Sequence, residues 1–275
     1  MAVEMLSYIE RKSPIHALTG ATKLLCFVIW SFAAMLTYDT RILLFLLVFS
    51  IVVFKLSKVK MKEVSFVLLF ILIFLLINNI AIYLFSPQQG VAIYGTKHVL
   101  LGSGHFALTA EQLFYLVNIT LKYFVVIPIA LLFIVTTNPS EFASSLNRLG
   151  ISYRVAFAVS LALRYIPDIQ REYFTISLSQ QARGIDMSKN EKLFKRMKNM
   201  GSIITPLIFS SLERIEVVSN VMELRGFGKN KKRTWYHARP FKKNDIAAIS
   251  LLVLIFVISL VVTFIDGSRF YNPFE

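Results

Sequence analysis

An all-α polytopic membrane protein, with about five transmembrane helices and a large cytoplasmic loop of amphipathic helices, is predicted by three observations. First, 56% of the 275 residues are apolar, against about 45–50% in ordinary globular domains. Second, the mean hydropathy is +0.62, and there are 24 phenylalanines, yet the formal net charge is +14. Such a mixture sits easily in a membrane protein whose basic residues gather on one side. A nucleic-acid binder is also basic but not this apolar, so nucleic acid is excluded as a partner. Third, the apolar residues fall in runs close to the roughly 20 residues that a spanning helix needs.

Five runs qualify or come close: Lys23–Tyr38, Arg41–Phe54, Ser65–Phe85, Leu113–Thr136 and Ile246–Ile265. The first two are short. They extend into their flanks or form a tight helical hairpin around Thr37–Thr40. No cleavable signal is expected, since the first run follows a long polar lead and no small-residue cleavage site follows it. The single cysteine, Cys26, lies in an apolar run and reads as a small buried residue.

Charge sets the orientation. Lys55, Lys58, Lys60 and Lys62 crowd the connection between the second and third runs, which places it in the cytoplasm. The N-terminal lead, with Arg11, Lys12 and Lys23, is then cytoplasmic too. Ser86–Ala110 falls outside, with Lys97 as its only Lys or Arg. Thr137–Asp245 returns to the cytoplasm with 19 of the 30 Lys and Arg and 9 of the 16 acidic residues. The chain thus divides into a four-span region (1–136), a cytoplasmic region (137–245), and a last span with an external tail (246–275).

The cytoplasmic region reads as successive helices. Asn138-Pro139-Ser140-Glu141 has the grammar of a helix start. Phe142, Leu146 and Leu149 repeat at helical spacing, and Gly150 suits a left-handed stop. Val155–Leu163 would be a helix of about 14 Å, too short to cross a membrane. Ile166, Ile169, Tyr173 and Ile176 form another stripe. Around Asn190–Met200, Leu193, Met197 and Met200 oppose Lys192, Lys195, Arg196 and Asn199, a basic amphipathic pattern. After Thr205-Pro206, Ile208, Leu212, Ile215 and Met222 share one face. Such stripes must be buried against something, with the membrane surface and a partner protein as the candidates.

Several motifs carry no chemistry. Gly102-Ser103-Gly104-His105-Phe106-Ala107 fits a dinucleotide fingerprint in letters only, because no βαβ unit surrounds it. Gly226-Phe227-Gly228-Lys229 lacks the spacing of an ATP-binding loop. Asn118-Ile119-Thr120 matches a glycosylation signal but lies inside a span. His16, His98, His105 and His237 show no metal-ligand spacing, so neither a metal nor a cofactor is expected in this chain. Lys122, near the middle of the fourth run, is either a functional intramembrane charge or a residue that snorkels outward.

Two arginine triplets are more informative. Ala182-Arg183-Gly184 and Leu224-Arg225-Gly226 each close an amphipathic helix. Arginine in a last turn complements the helix dipole, and glycine supplies the left-handed stop. Each triplet could also present a guanidinium fork to a carboxylate on a docking surface, which lysine does less well.

With these triplets the sequence resembles the transmembrane T component of energy-coupling factor transporters. Ser13-Pro14-Ile15-His16-Ala17-Leu18 with Thr22-Lys23-Leu24 looks like the family's entry to its first span. Leu163-Arg164-Tyr165-Ile166-Pro167 with Glu172 looks like the segment before the first triplet. Gln181-Ala182-Arg183-Gly184 and Met222-Glu223-Leu224-Arg225-Gly226-Phe227-Gly228 look like the two arginine signatures. One departure is Leu224, where the family often has a smaller residue; it bears on how closely that helix end approaches its partner.

The resemblance implies a non-enzymatic scaffold in a prokaryotic plasma membrane. It would join two cytoplasmic ABC-type ATPases, which hold the ATP, to a membrane S component that binds a vitamin or metal ion. Arg183 and Arg225, with Ala182, Gly184, Leu224 and Gly226, would contact the ATPases. The stripes Ile166/Ile169/Tyr173/Ile176 and Ile208/Leu212/Ile215/Met222 would pack internally or face the S component. Read without the resemblance, the same features also suit a membrane insertase or assembly scaffold, or a membrane enzyme using Asn78, Asn79 and Lys122.

Overall fold

A computed structural model describes residues 11, 13–102, 104–185, 193–230, 234–235, 239–265 and 268–274. Lys12, Ser103, Lys192 and His237, all invoked from the sequence, lie outside them. The chain forms two compact units, 1–138 with 239–275, and 139–238.

The first unit holds α1 (Pro14–Ala17), α2 (Gly20–Leu36), α3 (Thr40–Leu56), α4 (Met61–Phe85), α5 (Gln89–Tyr94), the short strands β1 (Val99–Leu101) and β2 (Leu108–Thr109), α6 (Ala110–Thr136) and α10 (Lys243–Ile265). Side-chain caps fix several starts. Thr19 accepts from the Thr22 amide before α2 (3.4 Å), Asp39 from Arg41 before α3 (2.9 Å), and Thr109 from Gln112 before α6 (3.2 Å). Among the described residues three helices, Val64–Phe85, Ala110–Thr136 and Lys243–Ile265, are long and apolar enough to cross a membrane. The helices α2 and α3 have 17 residues each, about 26 Å of axis and the lower limit for a span. They meet in a tight turn at 37–39.

The long helix α6 is the centre of this unit. Trp30, Ala33 and Ala34 of α2, Ile42, Leu43 and Leu46 of α3, Val125 of α6 and Ile255 of α10 form one buried cluster. Val64 of α4 packs on Leu131, Leu132 and Val135 of α6 in a second. Pro128 inside α6 removes one intrahelical donor. One turn earlier the Val125 carbonyl takes the Trp30 indole N–H at 3.0 Å. The α2–α3 tip is covered by the C-terminal tail. Tyr38 donates its amide to the Arg269 carbonyl (3.0 Å) and bridges Phe270. Arg41, ion-paired with Asp39 at 2.8 Å, stacks on Tyr271.

The second unit holds α7 (Pro139–Arg148), α8 (Tyr153–Ala182) and α9 (Leu193–Leu224). The start at Pro139 and the stop at Gly150, with φ +98°, match the sequence reading. Two expectations are corrected. The segment Val155–Leu163 and the stripe from Ile166 are one 30-residue helix, α8, which runs through Pro167. The basic helix and the helix expected after Thr205-Pro206 are likewise one 32-residue helix, α9, running through Pro206. Proline removes a single hydrogen bond, and helical packing against a neighbour on both sides of it outweighs that loss of about 3 kcal/mol.

Candidate functional site

The helices α8 and α9 pack antiparallel along most of their length. Near the start of α8, Phe157 lies 4.6 Å from Phe227, ring centre to ring centre, and Tyr153 packs at a tilt against Phe227 and Trp235, 5.9 and 5.3 Å away. In the middle, Glu172 of α8 meets Ser210 and Arg214 of α9. Near the end of α8, Gln180 donates to the Ser202 carbonyl at 3.1 Å. As α8 advances its partners on α9 run backwards. The C-terminal ends of the two helices therefore lie at opposite ends of the pair, roughly 40 Å apart along the axis.

Both ends close by the same hydrogen bonds. After α8, the Gly184 amide donates to Gln181 O (2.9 Å) and the Ile185 amide to Gln180 O (3.0 Å). After α9, Gly226 donates to Glu223 O (2.8 Å) and Phe227 to Met222 O (2.9 Å). This is the Schellman pattern, with glycine in the left-handed region and an apolar residue just beyond it. The glycine φ angles are +86° and +66°. Arg183 and Arg225 occupy the same place in the two motifs, and both are exposed. Ala182 and Gly184 are exposed as well, Gly226 is half-buried, and Leu224 is 88% exposed.

The end of α7 is an internal control. Gly150 donates to Asn147 O (3.2 Å) and Ile151 to Leu146 O (3.1 Å), the same closure with the same apolar residue beyond it. There the place of the arginine is taken by Leu149. Helix termination alone does not require arginine at this position, yet both long helices have it.

An open groove of about 610 Å³ runs between α8 and α9. Of the stripe residues expected to be covered, Ile169, Ile215 and Met222 line it, together with Leu161, Val218 and Phe227. Ile166, Ile208 and Leu212 lie outside it, 48%, 52% and 53% exposed, Ile215 within the open groove is itself 62% exposed, and Tyr173 and Ile176 are half-buried. Sequence reasoning missed the polar contact at the centre of the pair. The Arg214 Nη2 donates to Glu172 Oε2 at 2.7 Å, the Ser210 hydroxyl donates to Oε1, and the guanidinium lies 5.9 Å from the centre of the Tyr165 ring. The sequence offered little signal, since Glu213 and Glu216 flank Arg214 and its partner Glu172 lies 42 positions away.

The remaining candidates are structural in their surroundings. Lys122 reaches the tip of the α2–α3 hairpin, donating to the Met35 carbonyl at 2.9 Å over the Tyr38 ring. It so complements the C-terminus of α2. Asn79 bonds the Leu75 carbonyl and Thr120, and Asn78 keeps a buried amide oxygen without a partner. Gly102 and Gly104 take φ +83° and +87° beside the turn joining β1 to β2. That turn opens onto a strand and not onto the helix a dinucleotide loop needs. Among the described residues no group of three His, Cys, Asp or Glu could hold a metal ion.

Comparison with known proteins joins this geometry to a family. Residues 11–236 match the CbiQ family, described as cobalt transport protein. The chain is similar to the energy-coupling factor transporter transmembrane protein EcfT of Exiguobacterium sibiricum, 28% identical over 255 residues that cover 90% of this chain and 91% of that protein. The EcfT of Bacillus selenitireducens is 26% identical over 94% of this chain and 97% of its own length, and that of Streptococcus equi 26% identical over 90% and 92%. The matched region contains α8, α9 and both arginine ends. The chain belongs to the CbiQ family, whose members are membrane components of transporters and not enzymes, and it is a multi-pass cell-membrane protein of the energy-coupling factor transporter type.

Proposed function

We infer that this chain links two cytoplasmic ABC-type ATPases to a membrane S component, through Arg183 and Arg225 on one side and the α8–α9 groove on the other. The observation that carries the reading is the pair of matching helix ends, each with an exposed arginine immediately before its left-handed glycine, where α7 has Leu149 and carries its exposed Arg148 one residue earlier. Each guanidinium would pair with a carboxylate in its own ATPase. Their placement at opposite ends of one helix pair suits two acceptors better than one. ATP belongs to the ATPases, and the cargo, a vitamin or a metal ion, to the S component. In this reading 1–136 and 246–275 form five spans with the 137–245 region in the cytoplasm, and α8 and α9 transmit ATPase closure to the membrane.

The test is co-purification of the ATPases with Arg183→Ala, Arg225→Ala, the double variant and the two Lys versions. Breaking one desolvated charge pair costs about 2–5 kcal/mol, and each 1.4 kcal/mol is about tenfold in affinity. Each single Ala variant should weaken association at least tenfold, the double variant should release the ATPases, and Lys should rescue only in part because it lacks the fork. Normal assembly by the double variant would reduce both arginines to helix ends.

A further inference from the structure

The polar contact in the middle of the α8–α9 pair has a place in the geometry that stability alone does not explain. Glu172 is 18% exposed and Arg214 37%, so the carboxylate is largely withdrawn from water while the guanidinium keeps one side open to it. Both carboxylate oxygens are engaged, one by Arg214 and one by Ser210, a turn apart on the same face of α9. Tyr165, two turns before Glu172 on α8, lies beside the same guanidinium. Apolar contacts between helices permit small slides and rotations, because one ridge fits several neighbouring grooves. A charge-assisted bond at 2.7 Å does not, since a shift of one residue, about 1.5 Å, breaks it. The pair therefore sets the register of α8 against α9.

Its position along the helices is also particular. Glu172 precedes Arg183 by about the same stretch of helix, roughly 16 Å, as Arg214 precedes Arg225. The pair thus stands midway between the two arginine ends, with Pro167 and Pro206 on either side of it as the weak points of the two helices.

We propose that Glu172 and Arg214, supported by Ser210 and Tyr165, are positioning residues that pin α8 to α9, so that a push on either arginine end moves the pair as one body. The proposal rests on the reading of Arg183 and Arg225 as ATPase contacts. The pin contacts neither ATPase nor cargo. It holds the two arms in one register and keeps their motions from being lost as sliding between helices.

The experiment uses the whole assembly purified through this chain, in a Cys26→Ala background, with spin labels at Leu178→Cys and Val217→Cys. Both positions are exposed, and they sit on different helices on opposite sides of the pin. The distance distribution is measured without nucleotide and with ATP and vanadate, beside ATPase co-purification. In the unaltered pair we expect one narrow distribution that shifts as a whole with ATP. Glu172→Gln and Arg214→Met should still bring down the ATPases. Their distribution should broaden, with the pinned population falling roughly tenfold or more relative to unpinned states. Arg214→Lys should lie between, and the reversed pair Glu172→Arg with Arg214→Glu should narrow the distribution again. A purely stabilising role predicts less assembly but unchanged distances in whatever assembles, and that result overturns the proposal. Wild-type distances in Glu172→Gln also overturn it. Failure of the unaltered chain to bring down ATPases would instead overturn the reading on which it rests.

Discussion

Asp245 gives the sharpest stability test, because one buried carboxylate serves two helix starts that are far apart in sequence. It is 1% exposed. Its Oδ1 accepts from the Thr19 amide and the Thr22 hydroxyl, both at 2.8 Å. Its Oδ2 accepts from the Lys242 amide, also at 2.8 Å. The last bond is the return arm of a capping box, reaching back from the third residue of α10. The first two close the start of α2. The carboxylate charge also faces the positive ends of both helices. Asp245→Ala strands three donors where water does not reach, at about 1–3 kcal/mol each, so about 3–6 kcal/mol in sum allowing for relaxation. At about 2–4 °C per kcal/mol for a chain somewhat smaller than this one, the detergent-solubilised protein should melt about 10 °C lower or more. Asp245→Asn should lie between, because one amide oxygen still accepts while the NH2 opposes a donor. Thr22→Val removes a donor together with its bond and should cost only about 1 kcal/mol. The measurement is thermal unfolding followed by size-exclusion fluorescence. Equal melting of the Ala, Asn and native forms would refute the clasp, and so would Thr22→Val falling as far as Asp245→Ala.

Other outcomes follow from particular contacts. A Cβ at Gly90 would lie 2.5 Å from the backbone of Glu111 and Gln112, so Gly90→Ala should lower the melting temperature by several degrees, whereas Ala at Gly104, with open space around it, should cost only the strain of its φ, about 1–2 kcal/mol. Lys122→Met should loosen the α2–α3 tip and Lys122→Arg should largely preserve it, read as protease sensitivity at residues 37–39. A membrane-impermeant thiol reagent applied to intact cells should label Ser268→Cys and not Asn230→Cys; the reverse pattern would invert the proposed orientation.

Much of the fold was legible because it is written in local chemistry. The apolar runs gave the helices at 20–36, 40–56, 61–85, 110–136 and 243–265 to within a few residues. Their true starts lie further out, where Thr19, Asp39 and Thr109 cap them. Pro139 and Gly150 bounded α7 for the same reason. The long helices were harder, since Pro167 and Pro206 break the local pattern and only a packed neighbour holds the helix together across them. The small α5 and the β1–β2 hairpin escaped notice because they are shorter than any reliable period. At the site, the arginine–glycine ends were visible as triplets. Their placement at opposite ends of one pair was not, nor was the Glu172–Arg214 contact. Both depend on the antiparallel register of two helices, which no spacing within either helix encodes.

That register constrains how the chain can work as a coupling element. A helix of 30 or 32 residues is about 45–48 Å long, and its hydrogen-bond ladder resists any shortening. If two acceptors hold Arg183 and Arg225 and then approach one another, the pair cannot absorb the change along its axis. It must tilt as a body, or bend where a hydrogen bond is already missing, at Pro167 or Pro206. The groove lies between the central contact and the Arg225 end, lined by Leu161, Ile169, Ile215, Val218 and Phe227. Tilting would therefore swing its apolar lining without rearranging any residue in it. Bending at a proline would instead part Phe157 from Phe227 or Gln180 from Ser202, depending on which side yields. The aromatic cluster of Tyr153, Phe157, Phe227 and Trp235 ties the Arg225 end to the start of α8. The opposite end is tied by the polar Gln180–Ser202 bond. The Arg183 end is thus the more readily parted of the two, so of the two bends the one near Pro206, on the Arg183 side of the pair, costs less than the one near Pro167, and tilting as a body costs neither set of contacts.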